Sequence, residues 1–184
     1  MSKVLITTIG KVQKENNNRY RTTNYKFDNG EKYTTPFFGY ALYQYLISIK
    51  KKPDKIIILG TSTSTWDAWY DVDEALFTDE NIESATNLNK KIEAGAVLED
   101  LKPLESALST NFNANVICQI IPYGQTVEEQ VEILSCIKNE IDKDDDIVID
   151  VTHGLRHLPM LELLSTFLLK HSSNIRMSGI YYGA

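Results

Sequence analysis

The stretch Ile147-Val148-Ile149-Asp150-Val151-Thr152-His153-Gly154-Leu155-Arg156-His157-Leu158 decides the fold. It opens as a β-branched run after the charged turn Asp142 to Asp146, and Leu158, Leu161, Leu164 and Leu168 follow at helical spacing. A buried strand therefore hands over to a helix between Thr152 and His157. That junction gathers a carboxylate, a hydroxyl, imidazole and guanidinium at one strand exit. In open parallel sheets ligands bind outside the carboxyl ends of the strands, and the unpaired N–H groups of a helix start suit anions. Gly154 admits backbone close to a ligand, and the planar fork of Arg156 grips a phosphate or carboxylate.

Outward from this junction, strands and helices alternate. Val4 to Ile9 reads as a first strand ending at Gly10. Tyr20 to Phe27 and Glu31 to Thr34 flank Asp28-Asn29-Gly30, a hairpin turn, and read as a ribbon over the sheet edge rather than a lid. Phe38, Leu42, Tyr45, Leu46 and Ile49 mark an amphipathic helix stopped by Lys50-Lys51-Lys52-Pro53. Ile56 to Leu59 is a second strand, closed by Gly60 and followed by the hydroxyl run Thr61-Ser62-Thr63-Ser64-Thr65 with Trp66-Asp67. Those hydroxyls cap a helix or serve a ligand at the same sheet edge. Asp71 to Asn113 is polar and helix-prone, with breaks at Asp100, Pro103 and Asn111, and reads as an inserted helical pair covering the sheet.

Val116 to Ile121 is a third strand, ended by Pro122-Tyr123-Gly124. Thr126-Val127-Glu128-Glu129 has capping-box spacing, and Val127, Val131, Leu134, Ile137 and Ile141 supply the apolar stripe of the next helix. After the fourth strand and its helix, Ile175 to Tyr182 is the last strand. The order indicates an α/β fold: a Rossmann-like, mostly parallel sheet flanked by helices, with a hairpin inserted at about 19–35 and helices inserted at about 68–113. The expectation is a single domain over 1–184, since 184 residues suffice for one well-buried core and not for two.

Composition narrows the chemistry. With 25 acidic and 19 basic residues the net charge is −6, which argues against long nucleic acid held on a general basic surface and leaves room for a small anion in a local pocket. Cys118 and Cys136 show no metal or redox spacing, so a reduced, cytoplasmic chain without disulfide is expected. The N-terminus has no signal-peptide core, and no apolar stretch reaches the roughly 18 residues that span a bilayer. Thr8-Ile9-Gly10-Lys11-Val12 lacks a dinucleotide-binding glycine pattern, and neither a P-loop nor a Gly-x-Ser-x-Gly elbow occurs. His153 and His157 have only His171 as a further histidine and no adjoining Glu, so neither metal nor cofactor is expected. Taken singly, His153 orients a loop as readily as it serves a ligand, and Asp150 caps a helix as readily.

Taken together, Thr8-Ile9-Gly10, Leu59-Gly60 with Thr61 to Asp67, Ile121-Pro122-Tyr123-Gly124, Asp150-Val151-Thr152-His153-Gly154-Leu155-Arg156 with Leu158-Pro159-Met160, and Ile180-Tyr181-Tyr182-Gly183-Ala184 resemble the CARF (CRISPR-associated Rossmann fold) family over the whole chain. The resemblance implies a homodimeric sensor of cyclic oligoadenylate, the second messenger of type III CRISPR antiviral defence, with cyclic tetra-adenylate the best-fitting ring. It implies ligand contacts from Thr8, Ile9, Gly10, Thr61, Ser62, Thr63, Ser64, Trp66, Asp150, Thr152, His153, Gly154, Leu155 and Arg156, with Trp66 either stacking on the ligand or packing in the core. A two-fold ring meets duplicated donors in an isologous dimer.

Family members commonly continue into an effector domain, often a HEPN ribonuclease. No Arg-x4-His spacing exists here, so any effector belongs to another segment or a partner protein. The alternative is a metal-independent ring nuclease that aligns a ribose 2′-hydroxyl with phosphorus and leaves a 2′,3′-cyclic phosphate. Its catalytic residues would be Ser64 or Thr63 at the ribose, His153 or His157 for the proton, and Arg156 for the developing charge.

Overall fold

The computed structural model describes residues 1–15, 19–152 and 174–183. Five strands, β1 (Lys3–Thr8), β4 (Lys55–Gly60), β5 (Asn115–Ile120), β6 (Asp146–Asp150) and β7 (Arg176–Tyr181), form one sheet in the order β5-β4-β1-β6-β7. Every neighbouring pair is parallel. The chain winds from β1 outward through β4 to β5, then returns to the other side of β1 for β6 and β7. The strand order therefore reverses between β1 and β6, and there the loops leaving neighbouring strands part to open a crevice. Inner strands are buried on both faces, which is why Val4-Leu5-Ile6 and Ile56-Ile57-Ile58-Leu59 are continuous apolar runs instead of alternating ones.

On one face α1 (Phe38–Ser48) buries Ala41, Leu42 and Leu46. Gly39 lets that helix lie against β1, because a Cβ there would meet the Thr7 side chain. The helix ends with Lys50 at φ 60° and bonds from Lys50 N–H to Ile47 C=O (2.9 Å) and Lys51 N–H to Leu46 C=O (2.7 Å). The lysine run thus begins just past the helix, where its charge opposes no buried group.

The hairpin β2 (Thr23–Lys26) and β3 (Lys32–Thr35) packs through aromatic side chains. Phe27 stacks on Tyr45 at 4.3 Å and on Phe38 at 5.7 Å, and Tyr25 meets Phe38 edge-on at 5.2 Å. The ribbon therefore covers α1. Ahead of it, residues 11–15 and 19–22 form a second arm, paired through a Lys14–Tyr20 bridge, that the sequence pattern did not separate from the hairpin.

Between β4 and β5 lie two 3-10 turns at Trp66–Asp71 and Glu74–Leu76, then α2 (Asp79–Ala94), a third 3-10 turn at Leu98–Leu101 and α3 (Lys102–Phe112). Only α3 packs on the sheet, against β5. The other member of the expected pair, α2, packs on the Trp66–Asp71 turn. Two expected breaks are corrected: Pro103 sits in the first turn of α3, where its missing N–H costs nothing, and Asn111 lies inside the helix, which ends at left-handed Asn113 (φ 46°).

The opposite face carries α4 (Val127–Glu140). The Thr126 hydroxyl accepts from Glu129 N–H at 3.2 Å, and the Glu129 carboxylate accepts from Gln125 N–H at 2.7 Å, one residue earlier than in the ideal capping box. The stripe expected on this helix is corrected as well. Ile133 and Ile137 face the sheet, whereas Val127 and Val131 are 70% and 54% exposed. The helix drawn through Leu158, Leu161, Leu164 and Leu168 falls outside the described residues.

Candidate functional site

Three strand exits meet at the switch point: 8–12 after β1, 61–65 after β4, and 150–152 after β6. The first two are stitched together by main-chain bonds. Ile9 N–H donates to Leu59 C=O (2.8 Å), Thr65 N–H to Gly10 C=O (3.1 Å), and Val12 N–H to the Thr65 hydroxyl (2.9 Å). Gly60 permits this crossing, since a Cβ would lie 2.7 Å from both the Ile9 side chain and the Trp66 ring.

Within the hydroxyl run the five residues divide by role. The Ser64 hydroxyl oxygen accepts from Thr61 N–H (2.9 Å), lies 3.1 Å from the Thr61 hydroxyl, and donates to Ile9 C=O (3.3 Å). Thr61 and Ser64 are buried, so they hold the loop closed. Trp66 is fully buried and its indole N–H donates to Thr61 C=O at 2.9 Å. Of its two expected roles packing is the one observed, and a stacking contact is excluded in this conformation. Ser62 and Thr63 are half-exposed, with the Thr63 hydroxyl 2.9 Å from the Tyr123 hydroxyl at the exit of β5.

The side chains of Thr8 and Ile9 are enclosed, and Gly10 is half-buried. From this loop a ligand meets main chain and the exposed Lys11, a cation that the sequence reading passed over because it stands alone rather than in a basic cluster.

Asp150 is also enclosed. It accepts from the Thr7 hydroxyl at 2.6 Å and from Thr152 N–H at 2.8 Å. Burial pushes its carboxyl up from 3.8 to about 6, against the opposing pull of the bonds from Thr152 and Thr7. Asp150 is thus a brace beneath the crevice and not a contact on its surface. Thr152, half-exposed, uses its hydroxyl oxygen to accept from Gly183 N–H beyond β7 (2.8 Å). His153, Gly154, Leu155, Arg156 and His157 lie outside the described residues. Among the described residues no cluster of metal-ligating side chains occurs, and no helix is long and apolar enough to cross a membrane.

Beside the crevice, Asp67 anchors the arm. Its Oδ2 accepts from the Tyr20 phenol and from the Asn89 amide (3.0 Å), and the Lys14 ammonium stands 3.7 Å away and over the Tyr20 ring. Burial and the Asp67 carboxylate push the Tyr20 phenol well above its ordinary range. The other carboxylate oxygen, Oδ1, is buried without a partner, an arrangement that costs about 1–3 kcal/mol in a folded chain. Nothing in the residue pattern announced this anchor, because Tyr20 and Asp67 are 47 residues apart.

The family described as "CRISPR system endoribonuclease Csx1, CARF domain" matches residues 4–184. Among curated proteins, the "CRISPR-associated protein MJ1674" of Methanocaldococcus jannaschii is 28% identical over 204 aligned positions, covering 100% of this chain and 31% of that protein. The chain thus spans about a third of the length of this relative. A five-stranded parallel sheet of doubly wound order, the strand-exit motifs in their sequence positions and the match from residue 4 to residue 184 together make this chain a member of the Csx1 CARF-domain family.

Proposed function

We propose that two copies of this chain enclose one cyclic oligoadenylate, with cyclic tetra-adenylate the preferred ring, and so sense the messenger of a type III CRISPR response. The observation that carries this reading is the convergence of three strand-exit loops at the sheet's switch point, in a chain of the CARF family. Half-exposed Ser62 and Thr63, the Gly10 main chain and Lys11 present donors to phosphate and ribose from one side of that crevice. Arg156, two helical turns' reach or less from the Thr152 exit in sequence, is assigned to the other side. The exposed Val127 and Val131 on α4, next to the Tyr123–Thr63 contact at the crevice rim, suit a second copy of the chain. An effector domain or partner protein would act on the signal.

Cleavage of the ring is less well supported than binding. Ser64, one of the three residues assigned to that chemistry, spends its hydroxyl on the loop. Titration calorimetry with rings of four and six adenylates, followed by recovery of labelled ligand, tests both readings. Saturable heat with one ring per two chains and intact ligand at protein excess is expected. Silence with every ring size sinks the sensor, and conversion to linear product at protein excess replaces it with the nuclease.

A further inference from the structure

Two adjoining cavities meet at Asp67. One, of about 420 Å³, opens beside the crevice and is lined by Lys11, Thr63 and Thr65. The other, of about 410 Å³, lies between the arm and α2, with apolar walls from Tyr70, Leu76, Phe77 and Ala85. Lys14, Tyr20, Asp67 and Asn89 line both, so the pair forms a trough leading away from the phosphate-facing loops. Each volume lies within the 300–1,000 Å³ range typical of small-ligand pockets.

We infer that this trough holds one nucleobase of the ring and that Asp67 selects adenine by accepting its exocyclic amine. The inference rests on the cyclic oligoadenylate reading above and adds to it a residue that discriminates between bases. Three observations carry it. Asp67 is 4% exposed and lines both cavities, yet one of its two carboxylate oxygens has no hydrogen-bond donor. A second carboxylate, Asp71, lines the inner cavity, so the pocket repels phosphate and the carbonyl oxygen of a 6-oxopurine while welcoming an N–H donor. The apolar walls suit the faces of a flat ring, and adenine carries its amine at the ring edge. Phosphates remain outside, with Lys11.

The test compares cyclic tetra-adenylate with the same ring built from purine riboside, which lacks only the amine. Wild-type protein should bind the adenine ring about tenfold or more tightly, the usual consequence of leaving a charged acceptor unpaired. Asp67→Asn, checked for folding by circular dichroism, should bind the two rings alike. Thr86→Trp, an exposed α2 position at the inner cavity, should lose affinity for the adenine ring while melting like wild type. Equal wild-type affinity for both rings, or unchanged binding by Thr86→Trp, overturns the inference and leaves ring binding standing. Binding of neither ring by wild type removes the sensor reading as well. Should Asp67→Asn fail to fold, the ring comparison on wild type and the Thr86→Trp titration still decide.

Discussion

Asp150 joins β1 to the turn beyond β6: its carboxylate takes the Thr7 hydroxyl at 2.6 Å and the Thr152 N–H at 2.8 Å while fully buried. A charge held there without a cation favours the protonated form, which gives the fold a definite pH dependence.

Burial raises the Asp150 pKa from 3.8 to about 6, so the folded chain binds that proton more tightly than the unfolded chain does. The stabilisation from this group is complete below about pH 4 and is lost as pH rises through about 6, a change on the order of 3 kcal/mol. Urea denaturation between pH 4 and 7 should show wild type losing stability over that window. Asp150→Asn, which cannot titrate, should show a flatter profile, and identical profiles would reject the assignment.

Gly60→Ala places a methyl group 2.7 Å from the Ile9 and Trp66 side chains at the crossing of two strand-exit loops. Overpacking of this kind costs about 1–3 kcal/mol. Thermal melting should drop, and ring binding should weaken with it because the loops part. A variant as stable as wild type would show that the crossing yields easily.

Ser64→Ala and Thr63→Ala should behave oppositely although the residues are neighbours. Removing the Ser64 hydroxyl leaves Thr61 N–H and Ile9 C=O without that partner and should cost about 1–3 kcal/mol of stability. Removing the half-exposed Thr63 hydroxyl should spare stability and weaken ligand binding. Melting curves and calorimetry on both variants separate the roles, and the reverse pattern would refute them.

Val131→Glu puts a charge on the exposed apolar side of α4. If this side meets a second copy, native mass spectrometry should find wild type as a dimer and the variant as a folded monomer. A dimeric variant moves the interface elsewhere.

The sheet was legible in the sequence because strands buried on both faces must be continuous apolar runs, and Val4-Leu5-Ile6, Ile56 to Leu59 and Ile147-Val148-Ile149 are such runs between turn residues. The facing of α4 was not, since Val127, Val131 and Leu134 compete with Ile133 and Ile137 for one apolar stripe and only packing chooses. At the site, the position of the three loops was legible from the strand order. The division of labour among five consecutive hydroxyls was not, because it depends on which of them points back at Ile9. Nor was the Tyr20–Asp67 anchor, a contact between distant segments that local spacing does not encode.

The bond from Gly183 N–H to the Thr152 hydroxyl gives the crevice a mechanical outlet. Thr152 hangs from Asp150 on one side and holds the far end of β7 on the other. A messenger that displaces this turn must either drag Gly183 along or let it go, so occupancy at the sheet's rim is converted into tension or slack where the last strand departs.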